Sequence, residues 1–339
     1  MFEHYRELQA FIYFVQLSIG NHLSFCTRTF VKQRESCVKP CPLLSRSLAD
    51  MTFQLNNYFQ KRENFRLNIR DAFSFIFLAV IVWTMNSVAQ MLFPSQNLLP
   101  YFVRTTISAA GALILIFGSI RLLKKSNVAE DTLGLKLYKK TLFNFILGVI
   151  MGVIVMVILG VVLYIFVPYH FIGGPLRTSE VVKESHSFFW GNFTEELLFR
   201  GYPLIILSQL LGWRAAVCIM ALPFGLFHLP GLGFSTEGLK MVITTATYSF
   251  VFSYSFVLTG TLWTAIGAHI ASNILLHSIS GLDGLARAVF TPVFETSWPV
   301  NYDPGLLSFV TSAIVMALLL YLLISKNQTL QKRENPKIQ

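Results

Sequence analysis

The sequence predicts an all-α fold: a polytopic membrane bundle of about eight transmembrane helices around a polar intramembrane cavity. Three observations carry this. Of the 339 residues, 54% are apolar and only 13% charged, where soluble domains carry roughly a quarter charged residues. Residues 305–325 (GLLSFVTSAIVMALLLYLLIS) contain no Asp, Glu, Lys or Arg, and about 20 such residues span the hydrocarbon core. The charges that do enter the apolar stretches are concentrated in FTEELLFRGY, residues 193–202, as expected of a bundle with a polar interior.

Residues 1–70 are mixed and basic, with ten Lys/Arg against five Asp/Glu. They hold no span and read as a cytoplasmic arm, with a surface-lying helix near 5–19. FIYFVQLSI (11–19) resembles a short signal core, but no basic stretch precedes it and no small-residue cleavage site follows, so a signal peptide is not predicted. A membrane domain over 71–326 follows, with spans at about 72–93, 105–123, 142–166, 187–209, 213–229, 238–258, 261–280 and 305–325. In the third span Gly148 and Gly152 form G-x-x-x-G, a spacing that lets helices approach closely. Residues 327–339 form a basic tail.

The formal net charge of +10 is distributed as a topology signal. The segment from Arg121 to Lys140 carries six basic residues against two acidic, and the stretch after Ser325 four against one. Lys and Arg beside apolar spans stay on the cytoplasmic side, so both termini are expected there and nucleic-acid binding is excluded. The composition suggests a bacterial inner membrane. Of the four cysteines, Cys37 and Cys41 (CVKPC) have metal-like spacing but no second ligand pair, and read as reduced thiols.

A charge at the centre of a membrane helix costs roughly 2.5–3.5 kcal/mol on insertion scales and usually marks function. Glu196 and Arg200 stand four apart on one helix face, acid first, the favourable order for an ion pair. Glu195 points about 100° away and is left to face the cavity. The next span contains PFGLFHLPG, with Phe224 and His228 four apart; a lone histidine there is more often packing than ligand. The seventh holds HIASN, with His269 and Asn273 on one face, while His277 lies two turns further and reads as peripheral. Glu195, His228 and His269 allow two related arrangements. They could bind a divalent metal, zinc or another, with an open position for water, or hold a water directly with Glu195 as general base. Asn273 then offers a neutral donor to charge developing on a carbonyl oxygen. There is no H-E-x-x-H, no G-x-S-x-G, no aspartate pair within the spans and no Gly-rich phosphate cradle.

These motifs resemble those of the CPBP family of intramembrane proteases, also called the CAAX prenyl protease 2 or Abi family. That family carries E-E-x-x-x-R, F-x-x-x-H and H-x-x-x-N on successive helices; here they are Glu195–Glu196–Leu–Leu–Phe–Arg200, Phe224–Gly–Leu–Phe–His228 and His269–Ile–Ala–Ser–Asn273. The resemblance covers roughly residues 140–325. It implies an endopeptidase acting on a membrane-associated peptide or protein in the lipid bilayer. Glu195 would be the base, His228 would hold the water or metal, and His269 with Asn273 would stabilise the oxyanion. Glu196, Arg200 and Phe224 would support the site, and any zinc or other divalent metal would sit on Glu195, His228 and His269. Eukaryotic members cleave prenylated tails, and bacterial ones act on other peptides or in bacteriocin immunity. A non-catalytic scaffold or immunity-type protein that keeps the motifs is the alternative, and a proton-coupled transporter a third reading, without inverted repeats to support it. Charge counting starts the fourth span outside, with Glu195 about 12 Å from that end, whereas a cytosolic prenyl-tail protease would open the other way.

Overall fold

The computed structural model describes residues 65–93, 98–166, 168–229, 233–282, 288–294, 313–318 and 321. The arm expected over 1–70, save for 65–70, the basic tail, Cys37 and Cys41 lie outside the described residues, as does most of the span expected at 305–325. Helix α1 (Ile69–Leu92) begins at Asn68, whose side chain accepts from Arg70 N–H at 3.0 Å. It forms an antiparallel hairpin with α2 (Leu98–Lys125), closed at one end by Lys125 Nζ on the buried Asp71 carboxylate at 3.1 Å. Ser108 Oγ, donating to Asn86 Oδ1 at 2.6 Å, links their middles. A single 3₁₀ turn, Glu130–Leu133, then leads to α3 (Lys139–Phe166). Beside that turn, a 2.6 Å hydrogen bond from Lys124 holds the Glu130 carboxyl below its usual range.

After α3 the chain forms strand β1 (Tyr169–Gly173), then α4 (Thr178–Phe199), α5 (Tyr202–Leu211), α6 (Trp213–Phe227), α7 (Thr236–Thr259) and α8 (Leu262–Asn273). Strand β2 (Phe290–Phe294) returns to pair antiparallel with β1, Tyr169 opposite Phe294 and Gly173 opposite Phe290. This all-α membrane bundle carries its polar groups inward. Arg200, Glu196, Phe224, Phe256, Leu262 and Ile266 are fully buried, while Phe77, Phe117 and Val157 on α1, α2 and α3 stand exposed, as suits helices solvated by lipid.

Among the described residues, four helices are long and apolar enough to cross a bilayer: α1, α7, and α2 and α3 over Leu99–Lys125 and Lys140–Ile165. They correspond to the expected spans at 72–93, 238–258, 105–123 and 142–166. The expected span 187–209 is instead two helices. Pro203 has no N–H for the Phe199 carbonyl and its ring would collide with it; the chain breaks at Arg200–Gly201, where Gly201 takes ψ −122. α4 also starts earlier than expected, at Thr178. Glu195 is therefore 17 residues in, about 26 Å along the helix, and close to its far end.

Two close approaches fix α8. A Cβ on Gly148 would overlap the Thr264 carbonyl, and one on Gly152 the Ala268 carbonyl, both on α8. The G-x-x-x-G spacing thus brings α3 and α8 into backbone contact. At its start, α8 is tied to the α2–α3 loop: Thr261 Oγ1 donates to Gly134 O at 2.6 Å and Trp263 Nε1 to Leu135 O at 3.3 Å. At its end the helix widens, with Ser280 N–H reaching back five residues to Leu275 O at 2.9 Å. Such π-turns recur at functional sites.

Candidate active site

Helix α4 delivers Glu195 and Glu196 to different neighbours. Glu196 is fully buried and accepts from Arg200 Nη1 at 3.2 Å, the i, i+4 pair expected from spacing. The remaining Arg200 donors meet α7: Nε reaches Ser253 Oγ at 3.3 Å, and Nη2 reaches Ser249 Oγ at 2.7 Å and Ser249 O at 3.2 Å. The guanidinium lies over the Phe224 ring, 4.1 Å from its centroid. Isolated, this charge would be prohibitive in an apolar interior; it persists because Glu196, four hydrogen bonds and an aromatic face surround it.

The same Glu196 oxygen lies 2.8 Å from His269 Nδ1. A carboxylate only accepts, so Nδ1 carries a proton, and in the neutral imidazole Nε2 then presents a lone pair. Stacking on Phe252, with centroids 4.3 Å apart and planes at 20°, fixes the ring. His228, at the C-terminal end of α6, is held likewise: its Nδ1 donates to Phe224 O at 2.9 Å, leaving Nε2 as an acceptor. Both Nε2 atoms stand 3.8 Å from one atom, Glu195 Oε2, which is buried and has no hydrogen-bond partner. With both imidazoles neutral, three acceptors converge with no donor between them. The gaps are too long for direct hydrogen bonds and suit a bridging water that donates to two of them. His269 is almost fully buried, whereas Glu195 and His228 keep 21% and 26% of their side chains accessible, so the cluster opens on the His228 side.

Residues 186–275 match the family model described as Rce1-like, type II CAAX prenyl endopeptidase Rce1-like. This segment is similar to an Rce1-like domain. All three motifs fall inside it, in agreement with the resemblance they carry, although the match is shorter than the 140–325 expected. The Rce1-like family is a peptidase family of the membrane, acting on membrane-associated proteins in the lipid bilayer. A comparison with curated proteins gives no match.

α4 and α8, with the π-turn that follows α8, run antiparallel in a register set by three contacts. Ser278 Oγ donates to Glu184 Oε2 at 2.6 Å, Asn273 Nδ2 to Asn192 Oδ1 at 3.0 Å, and His269 meets Glu196. Asn273 therefore faces α4 one turn from the Glu195 cluster. His277 is apart from it, stacked on Phe188 at 5.7 Å. Sequence reasoning missed Asn192, Ser249, Ser253 and Phe252. The serines stand four apart on α7, which is a weak signal in any apolar helix. Asn192 precedes Glu195 by three positions, a polar residue on the same side of α4.

The donor chemistry of Glu195, His228 and His269 suits zinc, and both Nδ1 atoms are held as in metal sites. The spacing is less suited. A tetrahedral site with bonds of about 2.1 Å sets its ligands about 3.4 Å apart, closer than the 3.8 Å found here. Among the described residues no three His, Cys, Asp or Glu side chains are gathered as a metal-holding group.

Proposed function

We propose that this chain is an intramembrane endopeptidase in which Glu195 activates a water against a peptide bond of a membrane-associated peptide or protein. The convergence of three acceptor atoms on one point supports this most directly. A water there donates one proton to Glu195 Oε2 and the other to an imidazole Nε2, leaving its own lone pairs for the scissile carbonyl carbon. Glu195 takes the proton as the C–O bond forms, and Asn273 Nδ2 donates to the oxygen that becomes negative. Glu195 then returns the proton to the leaving nitrogen as the C–N bond breaks. Glu196 and Arg200 hold the His269 tautomer, and Phe224 supports both Arg200 and His228.

The test compares protein termini in host membranes expressing wild type and Glu195→Gln at matched levels. New N- or C-termini present only with wild type are expected, with the variant reduced by at least about 10²-fold. Identical termini, with any cellular phenotype kept in the variant, would sink the peptidase reading in favour of a scaffold or immunity-type protein.

A further inference from the structure

Asn192 lies outside the three motifs, yet it is only 3% exposed. Its Oδ1 accepts from Asn273 Nδ2, and its own Nδ2 is buried without a hydrogen-bond partner. A buried amide with both N–H groups unmet is unfavourable and uncommon in native interiors. Its position suggests what it serves. The Asn192–Asn273 pair and the Glu195–His269 pair span the same α4–α8 seam. They are three residues apart on α4 and four on α8, or about 4.5–6 Å by helix rise. A peptide carbonyl attacked by a water at Glu195 therefore has the two amides about one helical turn away along the seam.

We propose that Asn192 is a second oxyanion donor. Its Nδ2, together with the remaining N–H of Asn273, hydrogen-bonds the scissile carbonyl oxygen as that oxygen gains negative charge. Its Oδ1 holds the Asn273 amide in the donating orientation. This assignment rests on the reading of Glu195 as the base.

The experiment uses the full chain in detergent and an internally quenched peptide carrying an S-farnesyl cysteine three residues from its C-terminus. Asn192→Leu, similar in size but without donors, is expected to lower kcat by about 10²–10³-fold with KM within about threefold. Removing the unmet amide offsets the lost Oδ1 bond to Asn273, so the thermal midpoint should move little, whereas a purely structural role would lower it. Adding Asn273→Ala should cost less than the product of the two single effects, since both amides serve one oxygen. If Leu is not accommodated, Asn192→Ser and Asn192→Ala decide: a serine variant at least tenfold faster at equal midpoint supports a donor, and equal rates overturn it. Wild-type kcat in Asn192→Leu, with Glu195→Gln inactive, overturns the donor and leaves the peptidase standing. No cleavage by wild type above Glu195→Gln, with no new termini in host membranes either, overturns both.

Discussion

Every side of the Arg200 guanidinium meets protein: Glu196, both serines of α7 and the face of Phe224. Removing it leaves Glu196 charged and buried with only the His269 N–H against it, and breaking such a pair costs about 3–5 kcal/mol. Arg200→Met should therefore lower the thermal midpoint sharply. Arg200→Met combined with Glu196→Gln should recover much of the loss, because no uncompensated charge remains. A double variant no better than the single would show that the serine and Phe224 contacts, not the charge, dominate. The ion pair was legible in the sequence because four-residue spacing fixes a helix face. So was the separation of Glu195 from it. Ser249, Ser253 and Asn192 were not legible: short polar side chains satisfy themselves on the helix backbone in many apolar helices, and only the packing of α7 and α8 against α4 shows which ones face the cluster.

At the scale of elements, the site depends on where α8 rests, and α3 decides that. Gly148→Ala places a Cβ on the Thr264 carbonyl, so α8 must move, carrying His269 and Asn273 with it. A displacement near 1 Å can cost about 10²-fold in rate. Cleavage should fall tenfold or more, and stability by about 1–3 kcal/mol; kcat/KM and the thermal midpoint measured on the same preparation check both, and unchanged kcat/KM would contradict this role for α3. The glycine spacing was readable in the sequence, though not its partner. Hydropathy hid the break after Arg200, because apolar residues continue through it while Gly201 and Pro203 interrupt only the backbone hydrogen bonds. It also hid the start of α4, whose first turns are polar. The β1–β2 ribbon left no local trace, since its strands are five residues long and more than a hundred residues apart.

On the scale of the whole molecule, the basic α2–α3 loop marks one end of the bundle, and His269 lies about 12 Å along α8 from the point where Thr261 binds that loop. We propose that this end is cytosolic, which puts the site nearer the cytosol than the expected start of the fourth span suggested. In a cysteine-free background, Lys136→Cys should react with an impermeant maleimide only in inverted vesicles, and Phe171→Cys on β1 only in intact spheroplasts. The opposite pattern would reverse the assignment. The membrane class and the basic-side signal were legible from composition alone; depth was not, because it depends on where α4 begins. The pairing of Glu196 with Arg200, only four residues apart, also has a consequence for biogenesis. His228 and His269 are translated 33 and 74 residues after Glu195, about 2–15 s later at ordinary synthesis rates. During that interval α4 meets the translocon without either imidazole. A neutralising partner on the next turn lets the helix leave the ribosome with one unmatched carboxylate rather than three separate charges, and Glu195 alone must wait for the rest of the chain.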